Sequence, residues 1–589
     1  MFHRKLLYLG KLEGLDEVQR VLLVDRLESL LLYRYEGECE DKEVEALACH
    51  YLGKLYSRQR GHSEGGEKLS VEGGTIVEDR EERISLGSLI PVRVREVGAE
   101  WVCCQAMEQL GLRHFLVEQG GWRSEDADRI LMNLQGRLLY PSSERKTALW
   151  LAEQSGAQDW LAGSQRIGLG HLYGVSVQLL KERETLEDYL YKRLDALLDF
   201  GKERFLYDLT NTYFEGRMLD SSLAQYGRSK ERRSDCRLVS VGLLTNELGF
   251  IRRSHFYAGN VSEPGTLEQI VTYLRDSQGV LTDAGIGTTN NIEELALRGV
   301  GYMCVVPAGF KEYEVDFSQA AEFEHQTSNG QRYKVWLQVE EHSFRVGQQL
   351  FKDWLIFVKS EAKQAKEDGI ISKQKQRMEV GLDQIRQSLS NPRGHRKTHQ
   401  VHQRIGRLKL QNSKVSKAFD IQAQDDGVHV TQLQWHYDTR YEQRNGTYII
   451  RTSEPVTDAR QAWQVYHTLS TIEGVNRCCK SDLNMRPVYH RKDEPIQAHL
   501  FLTLLACTIV TYIRHLLGKK GIYWSWKEIV RILSTQKSIL SEFRNKQGEL
   551  FLLSKWSEPE PKALAIYQAL GYKIRRSPGF FFKIAADDP

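Results

Sequence analysis

The stretch Arg204-Phe205-Leu206-Tyr207-Asp208 decides the fold prediction, because a short apolar run that ends in an acid is typical of a buried strand. In open α/β sheets, residues that follow such strands are directed into the crevice where ligands bind. A second run of this kind, Gly279-Val280-Leu281-Thr282, is followed by Asp283. We therefore predict that Asp208 and Asp283 lie at two strand ends. Ordinary turns are the alternative, since Asp is common in turns.

The pattern around these two runs predicts an α/β core. After Arg204, short apolar runs alternate with turn residues and helical patterns, the order expected of strands and helices in one layered domain. Residues 311–450 interrupt this order with polar, strand-like segments around a long helical pattern over 361–389. The predicted core strands are Phe205–Tyr207, Leu238–Leu244, Gly249–Tyr257, Val280–Thr282 and Tyr302–Val306, with helices over 266–276 and 291–298.

Helical patterns are predicted on both sides of the core. Apolar residues recur with helical spacing from Val97 to about Phe200 and again after Pro455, while the glycine-rich stretch 61–74 indicates a linker. We predict six segments: an N-terminal segment and linker (1–75), a helical module (76–200), the first part of the core (201–310), a mixed β/α insertion (311–450), the second part of the core (451–517) and a C-terminal helical region (518–589).

Composition argues against several classes of protein. Nine scattered cysteines without CxxC spacing indicate reduced thiols, not a disulfide framework or a structural zinc site. The N-terminus lacks the apolar stretch of a signal peptide. The strongest apolar run, Leu500 to Ile513, is shorter than the roughly 18 to 20 residues that a membrane span needs. We expect a cytoplasmic protein without a membrane domain.

A third acid, Glu473, lies in the stretch 458–482, which has a helical pattern. Tyr466, Glu473 and Lys480 are spaced by seven residues, which brings them to one face of a continuous helix within roughly 20° per heptad. Arg477 follows Glu473 by four residues and joins that side. Such a face could hold a metal and a phosphate together, and a solvated amphipathic face is the alternative.

The three acids suggest metal chemistry. Carboxylates from two strand ends and one helix can hold two Mg²⁺ ions roughly 3.5–4 Å apart, the arrangement that cuts and rejoins phosphodiesters. Mn²⁺ is expected to substitute for Mg²⁺.

Cations are concentrated locally, although the net charge of +3 is nearly neutral. Between Gln384 and Phe419 the sequence has nine Lys or Arg and no acid, which predicts a footprint for a phosphate backbone; a solvated surface is the alternative. Three histidines in this run have no Cys or acid beside them, so zinc is not favoured there. Arg228 and Lys230 belong to a second basic cluster. Trp435 is a candidate for stacking on an unpaired base, although strand core is the commoner role.

Several motifs together resemble one protein family. The spacing of Tyr466, Leu469, Glu473 and Lys480 resembles the Tyr-Arg-Glu-Lys signature of the large bacterial insertion-sequence transposases, the IS-four-like branch of the DDE superfamily. The signature's arginine is Leu469 here, so its phosphate contact is missing or is supplied by a neighbour such as Arg477. The resemblance covers residues 205–517 and includes Tyr207-Asp208-Leu209-Thr210, Gly227-Arg228-Ser229-Lys230, Gly259-Asn260, Thr282-Asp283-Ala284-Gly285, Arg486-Pro487-Val488-Tyr489-His490 and Ala498-His499-Leu500.

The resemblance implies an RNase H-like mixed sheet, interrupted by the insertion, in which Asp208, Asp283 and Glu473 are the catalytic, metal-binding triad. Tyr466 and Lys480 would grip the phosphate near the cut. We expect the helical N-terminal module to bind the terminal inverted repeats of an insertion sequence, and a homodimer to join their 3′-hydroxyl ends to target DNA.

Two other function classes remain open. One is a metal-dependent DNA nuclease that cuts without rejoining. The other is a DNA-binding protein derived from a transposase that has lost catalysis. Because relatives often have a further stretch before the Leu7-Tyr8-Leu9-Gly10 motif, we also expect this chain to begin late.

Overall fold

The structure is a computed structural model of the 589-residue chain. It describes residues 15–31, 41, 44, 47, 48, 51, 69–76, 86–157, 168–230, 233–274, 277–306, 317–327, 330–391, 394–442, 445–548, 550–574 and 580–586. The strand-like motif predicted near Leu7 lies outside these residues.

Helices of eight or more residues carry the labels α1 to α14 in chain order. They are α1 (Glu17–Leu31), α2 (Gly98–Gln109), α3 (Ser124–Leu139), α4 (Glu144–Glu153), α5 (Leu169–Lys181), α6 (Arg183–Leu198), α7 (Thr289–Leu297), α8 (Glu361–Leu389), α9 (Thr398–Gln411), α10 (Ala459–His467), α11 (Ser470–Arg477), α12 (Asp493–Gly518), α13 (Trp526–Leu533) and α14 (Pro561–Leu570).

The strands are numbered in the same way. They are β1 (Leu69–Ile76), β2 (Ile90–Glu96), β3 (Phe205–Tyr213), β4 (Leu238–Asn246), β5 (Ile251–Ala258), β6 (Val280–Thr282), β7 (Tyr302–Val305), β8 (Ala321–Gln326), β9 (Arg332–Val346), β10 (Gln349–Ser360), β11 (Phe419–Asp425), β12 (Val430–Tyr437), β13 (Thr447–Thr452), β14 (Lys537–Arg544), β15 (Leu550–Trp556) and β16 (Phe580–Ala586).

A nine-stranded mixed sheet has the order β5-β4-β3-β6-β7-β13-β10-β9-β8. Strands β3, β6 and β7 run parallel to one another, whereas β4 pairs with β5, and β7 with β13, in antiparallel fashion. The predicted α/β class is therefore confirmed. The arrangement, with β4 and β5 on one side of β3 and the parallel strands on the other, is compatible with an RNase H-like core.

Strand β3 is longer than predicted. Phe205, Leu206 and Tyr207 are buried, as expected for a strand covered on both faces. The prediction that the strand ends at Tyr207 is wrong, because β3 continues to Tyr213 with Thr210 and Thr212 also buried. Asp208 therefore lies inside a strand.

The chain forms two compact units. Unit 1 comprises Met1–Lys202, Leu209–Ser262 and Thr471–Pro589, and unit 2 comprises Glu203–Asp208 and Glu263–Ser470. The boundary falls within β3, immediately after Asp208.

Unit 1 is built around helix α12, which packs against α2, α3, α5 and α14. By length and composition alone α12 could cross a membrane, but 78% of its most apolar window is buried inside the protein. A helix that is apolar all round belongs in a core, which explains why it sits among four other helices.

Unit 1 also contains a five-stranded sheet, in the order β1-β16-β15-β14-β2. The region 518–589, predicted to be helical, contains strands β14, β15 and β16 as well as helices α13 and α14. Strand β1 falls partly in the predicted linker 61–74 and pairs with β16. Strand β1 pairs with β16, and β2 with β14, over a large sequence separation, which local patterns do not reveal.

Unit 2 contains the inserted residues. Strands β8, β9 and β10 extend the nine-stranded sheet beyond β13, and helix α8 spans the stretch predicted to be helical. Helices α8 and α9 and the hairpin β11-β12 enclose a separate apolar cluster that includes Met378, Leu382, Val401 and Leu433.

Two predicted helices are different in the structure. In the described part of the predicted helix 266–276, which ends at Leu274, the chain makes two 3₁₀ segments, Glu263–Gln269 and Val271–Leu274, instead of one α-helix. The helix predicted over 458–482 is broken into α10, α11 and a π-helical turn, Cys478–Asp482.

The break between α10 and α11 has a local cause. The Thr468 hydroxyl donates to the carbonyl of Val465 at 2.7 Å, and the Ser470 hydroxyl donates to the carbonyl of His467 at 2.9 Å. Ser and Thr side chains that bond to nearby carbonyls compete with the helical pattern. Tyr466 and Glu473 therefore lie on different helices.

Replacing Gly279 with Ala should destabilise unit 2. Gly279 immediately precedes β6 with φ of +119°, and a Cβ there would lie 2.3 Å from the carbonyl oxygen of Gly301. Gly299→Ala is the matched control, since Gly299 has φ of +68° with no atom within 4 Å of its Cβ position. We expect Gly299→Ala to cost about 1–2 kcal/mol from backbone strain alone, and Gly279→Ala to cost more. Equal shifts in the thermal unfolding midpoint would contradict the predicted clash.

Candidate active site

Asp208 and Asp283 occupy equivalent positions on adjacent parallel strands. Strands β3 and β6 pair through Phe205 with Val280, Leu206 with Leu281, and Tyr207 with Thr282. Asp208 is the next residue of β3, and Asp283 is the first residue after β6. Because neighbouring strands lie about 4.8 Å apart, this register places the backbones of Asp208 and Asp283 side by side.

The acids are more exposed than the residues before them. Tyr207 and Thr282 are buried, whereas Asp208 and Asp283 are each half-buried. The buried residues fix the backbone of each strand, and the two carboxylates lie at the point where the chain becomes partly exposed to solvent. Such a position lets a pair of carboxylates receive a solvated ligand.

The turn after β6 orients the Asp283 carboxylate. Its Oδ1 accepts hydrogen bonds from the backbone N–H groups of Gly285 at 2.9 Å and Ile286 at 3.1 Å. An Asp that bonds to the backbone two residues on is a common turn element. Here the turn holds one carboxylate of the pair in a defined position.

Cys304 on β7 pairs with Thr282, the residue before Asp283, and is a soft ligand close to that acid. Burial raises the pKa of the Cys304 thiol to about 12, and the charge of Asp283 acts in the same direction. The thiol is therefore neutral at physiological pH, and the donors offered by Asp208 and Asp283 are carboxylate oxygens. Oxygen donors are those that Mg²⁺ and Mn²⁺ accept.

Glu473 belongs to the other compact unit. It lies in the first turn of α11 and is exposed, and Arg477 follows it by one helical turn and is exposed as well. Lys480 lies in the π-helical turn and is half-buried. Tyr466, at the end of α10, falls within unit 2. The structure thus brings Glu473 and Arg477 together on one helix, and it does not support the predicted single face with Tyr466.

The Arg228–Lys230 loop is tied to β3 next to the first acid. The Lys230 ammonium donates to the carbonyl of Leu209, the residue that follows Asp208. The side chain of Asn211 accepts from the Lys230 backbone N–H at 3.4 Å and donates to the Arg228 carbonyl at 3.0 Å. Sequence reasoning did not single out Asn211, although it lies three residues after Asp208 and inside the strand.

Trp435 is a packing residue. Its ring packs against the apolar cluster of the insertion, and the Arg386 guanidinium lies 4.9 Å from the ring centroid. This contact agrees with the strand-core alternative, and a base-stacking role for Trp435 stays a prediction.

A buried polar cluster in unit 1 was not predicted. The Glu144 carboxylate lies 3.2 Å from His490 Nε2 and 3.4 Å from His499 Nδ1, and Arg137 Nη2 lies 3.1 Å from the same His499 Nδ1. Only the two histidines had a signal in the sequence, since both fall in the motifs that resemble the family.

These three possible ligands, Glu144, His490 and His499, suit a metal ion by type and proximity. The buried Arg137 guanidinium lies against the same atoms and already supplies positive charge. Burial, followed by the charge of Arg137, lowers the pKa of His499 to about 4, so its imidazole is neutral near pH 7. We interpret the cluster as a buried ion pair of Arg137 and Glu144 beside the neutral His499, because a dication next to Arg137 would be repelled.

Residues 214–509 match the family model of the transposase DDE domain, just over half of the 589-residue chain. The matched range includes Asp283 and Glu473 and begins after Asp208. No match was found among curated proteins.

Replacing Glu144 with Gln should destabilise unit 1 strongly. The change leaves the buried Arg137 charge without its carboxylate partner, and breaking a buried pair in this way costs about 3–5 kcal/mol. Glu125→Gln is the control, because the Glu125 partner of Arg129 is half exposed and such pairs contribute about 0–1 kcal/mol. The midpoint of urea unfolding measures both. Similar midpoints for the two variants would show that the Glu144 cluster does not hold unit 1 together.

Proposed function

Because this chain belongs to the transposase DDE-domain family, we propose that it cuts DNA at the ends of an insertion sequence and joins the freed 3′-hydroxyl groups to target DNA. The single observation that supports the site assignment is that Asp208 and Asp283 directly follow Tyr207 and Thr282, which are paired across the parallel strands β3 and β6. We also assign the chain to the IS-four-like branch with an RNase H-like core, on the strength of its ordered motifs.

Asp208, Asp283 and Glu473 are the proposed metal ligands. The half-buried carboxylate pair offers hard oxygen donors with a neutral thiol behind it, which fits Mg²⁺ and Mn²⁺. Glu473 completes the set by its place in the family signature. When bound, two such ions supply Lewis-acid activation of the attacking oxygen and stabilise the leaving 3′-oxygen.

The protein's own groups have three further tasks. Tyr466 and Lys480 bind the phosphate at the cut end. The family signature has an arginine where this chain has Leu469, and Arg477, one turn after Glu473, supplies the positive charge instead. Asp283 is held by its turn, so its carboxylate is oriented before DNA arrives. Preorganised charge of this kind costs no rearrangement during the reaction.

DNA is held through two basic surfaces in this proposal. The Arg228–Lys230 loop, tied to β3 by Asn211, follows the backbone next to the first acid. The second surface lies on α9, on the residue before it and on the loop after it, where exposed cations include Lys397, Arg407, Lys414 and Lys417. Both sets of contacts are independent of the DNA sequence, as expected of protein groups that bind phosphates.

Recognition of the ends belongs to the helices before β3 in this proposal. They would read the terminal inverted repeats, and a homodimer would pair two ends before cutting. The reaction would take place on bacterial DNA in the cytoplasm.

The acids are tested by cutting a plasmid that carries the DNA flanking this reading frame. We expect the wild type with Mg²⁺ to cut and to form strand-transfer products, and Asp208→Ala and Glu473→Gln to lose at least about 100-fold in rate, the scale of a missing catalytic group. Asp220→Ala and Glu494→Gln, at exposed acids outside the proposed triad, should cut normally.

Three other outcomes would change the assignment. Normal cutting by Asp208→Ala or Glu473→Gln would overturn the triad. Cutting by the wild type without joined products would favour the nuclease, and DNA binding without any metal-dependent cutting would favour a transposase derivative that has lost catalysis.

The basic surface on α9 makes a separate prediction. A triple variant with Arg407, Lys414 and Lys417 changed to Gln should bind DNA more weakly at low salt. The slope of log Kd against log salt concentration should fall by about one for each DNA phosphate that the variant no longer neutralises. Lys352→Gln is the control, since its ammonium pairs with Glu341 at 2.7 Å. An unchanged salt slope in the triple variant would exclude these residues from the DNA surface.

A further inference from the structure

Glu263 places another carboxylate beside Asp283. It begins the 3₁₀ segment that follows β5, and its side chain reaches the turn after β6. A Cβ built on Gly285 would lie 2.5 Å from Glu263 Oε2 and 3.2 Å from Asp283 Oδ1. By the sum of these two distances, the carboxylate oxygens are at most about 5.7 Å apart. Gly285 thus makes room for two acids to share one turn.

The backbone around Glu263 is fixed to the same turn. Asn291, in the first turn of α7, donates through Nδ2 to the carbonyl of Pro264 at 3.0 Å and to that of Ile286 at 2.7 Å. One side chain therefore joins the segment that carries Glu263 to the segment that follows Asp283. The Thr266 hydroxyl donates to the Glu263 carbonyl at 2.7 Å and stabilises the start of the 3₁₀ segment.

We propose that Glu263 is a further ligand of the divalent metal held by Asp283. This inference rests on the proposed function, because it adds a residue to that site. Mg²⁺ holds its oxygen ligands about 2.1 Å away, so two ligands of one ion are at most about 4.2 Å apart. The upper bound of about 5.7 Å exceeds that limit by about 1.5 Å, so binding of a shared ion requires at most a movement of that size in the side chains.

Electrostatics favours the same assignment. Two carboxylates this close repel each other in water and more strongly in a partly buried site. A shared divalent cation turns that repulsion into attraction. Glu263, Asp283 and Asp208 all belong to unit 2, so a site with these ligands needs no group from outside that unit.

Sequence patterns do not identify Glu263 as part of this site. Glu263 follows Gly259-Asn260, which resembles the family, but 20 residues separate it from Asp283 and no spacing rule connects them. The hydrogen bonds of Asn291 and the close approach at Gly285 bring the two acids together.

Mn²⁺ binding to the full-length chain, measured by isothermal titration calorimetry without DNA, tests the proposal. We expect Glu263→Gln to weaken Mn²⁺ binding at least about 10-fold, the scale on which groups around a metal alter affinity. Glu268→Gln, at an exposed acid in the same 3₁₀ segment, should bind Mn²⁺ like the wild type. Circular dichroism of each variant reports on folding.

The two proposals fail in different ways. If Glu263→Gln folds and binds Mn²⁺ as the wild type does, Glu263 is not a ligand, while the proposed function stands. If Asp283→Asn also binds Mn²⁺ normally, the metal site itself is misassigned and both proposals fall. If Glu263→Gln does not fold, Glu263→Asp decides the matter: its carboxylate is retracted by one methylene, so weaker Mn²⁺ binding is expected and unchanged binding overturns the proposal.

Discussion

The parallel pairing of Phe205–Tyr207 with Val280–Thr282 is the constraint on which the candidate site depends. It places Asp208 beside Asp283 without any direct contact between the two side chains being required. A slip of one residue in a sheet turns every side chain to the opposite face, so the register must be firmly set. Leu206 and Leu281 are fully buried, and their packing makes that slip costly.

The rest of the site is arranged around this pair. The turn after β6 orients Asp283, Gly285 admits Glu263, and Asn291 joins the two segments that carry these acids. On the other side of the unit boundary, Asn211 and the Lys230 ammonium attach the basic loop to the strand that carries Asp208. Backbone geometry at the site is thus established by apolar strands and by a few polar side chains that join neighbouring segments.

Sequence patterns predicted the parts of the fold that are local. Apolar runs located β3, β6 and β7, and helical periodicity located α8 closely, because burial and hydrophobicity coincide there. In β14 burial and hydrophobicity do not coincide. Ser538 and Glu542 are buried on one face with Leu540, while Ile539 is only half-buried, so the sequence does not show the alternation of apolar and polar residues that predicts a strand.

The break after α10 was not predicted because the seven-residue spacing continues through Thr468. The hydrogen bond from the Thr468 hydroxyl to the Val465 carbonyl cannot be inferred from that spacing. Glu263 was missed because its closeness to Asp283 is purely tertiary.

The central claim is that Asp208 and Asp283 hold one metal ion between them, and a double-mutant cycle on Mn²⁺ affinity tests it most directly. Asp208→Asn and Asp283→Asn should each weaken Mn²⁺ binding at least about 10-fold, and the double variant should bind little more weakly than either one. Residues that act on one shared ligand give such non-additive effects, whereas independent sites add. The shared site would be contradicted if the losses in Mn²⁺ binding free energy of the two single variants simply added in the double variant. It would also be contradicted if neither single variant lost affinity.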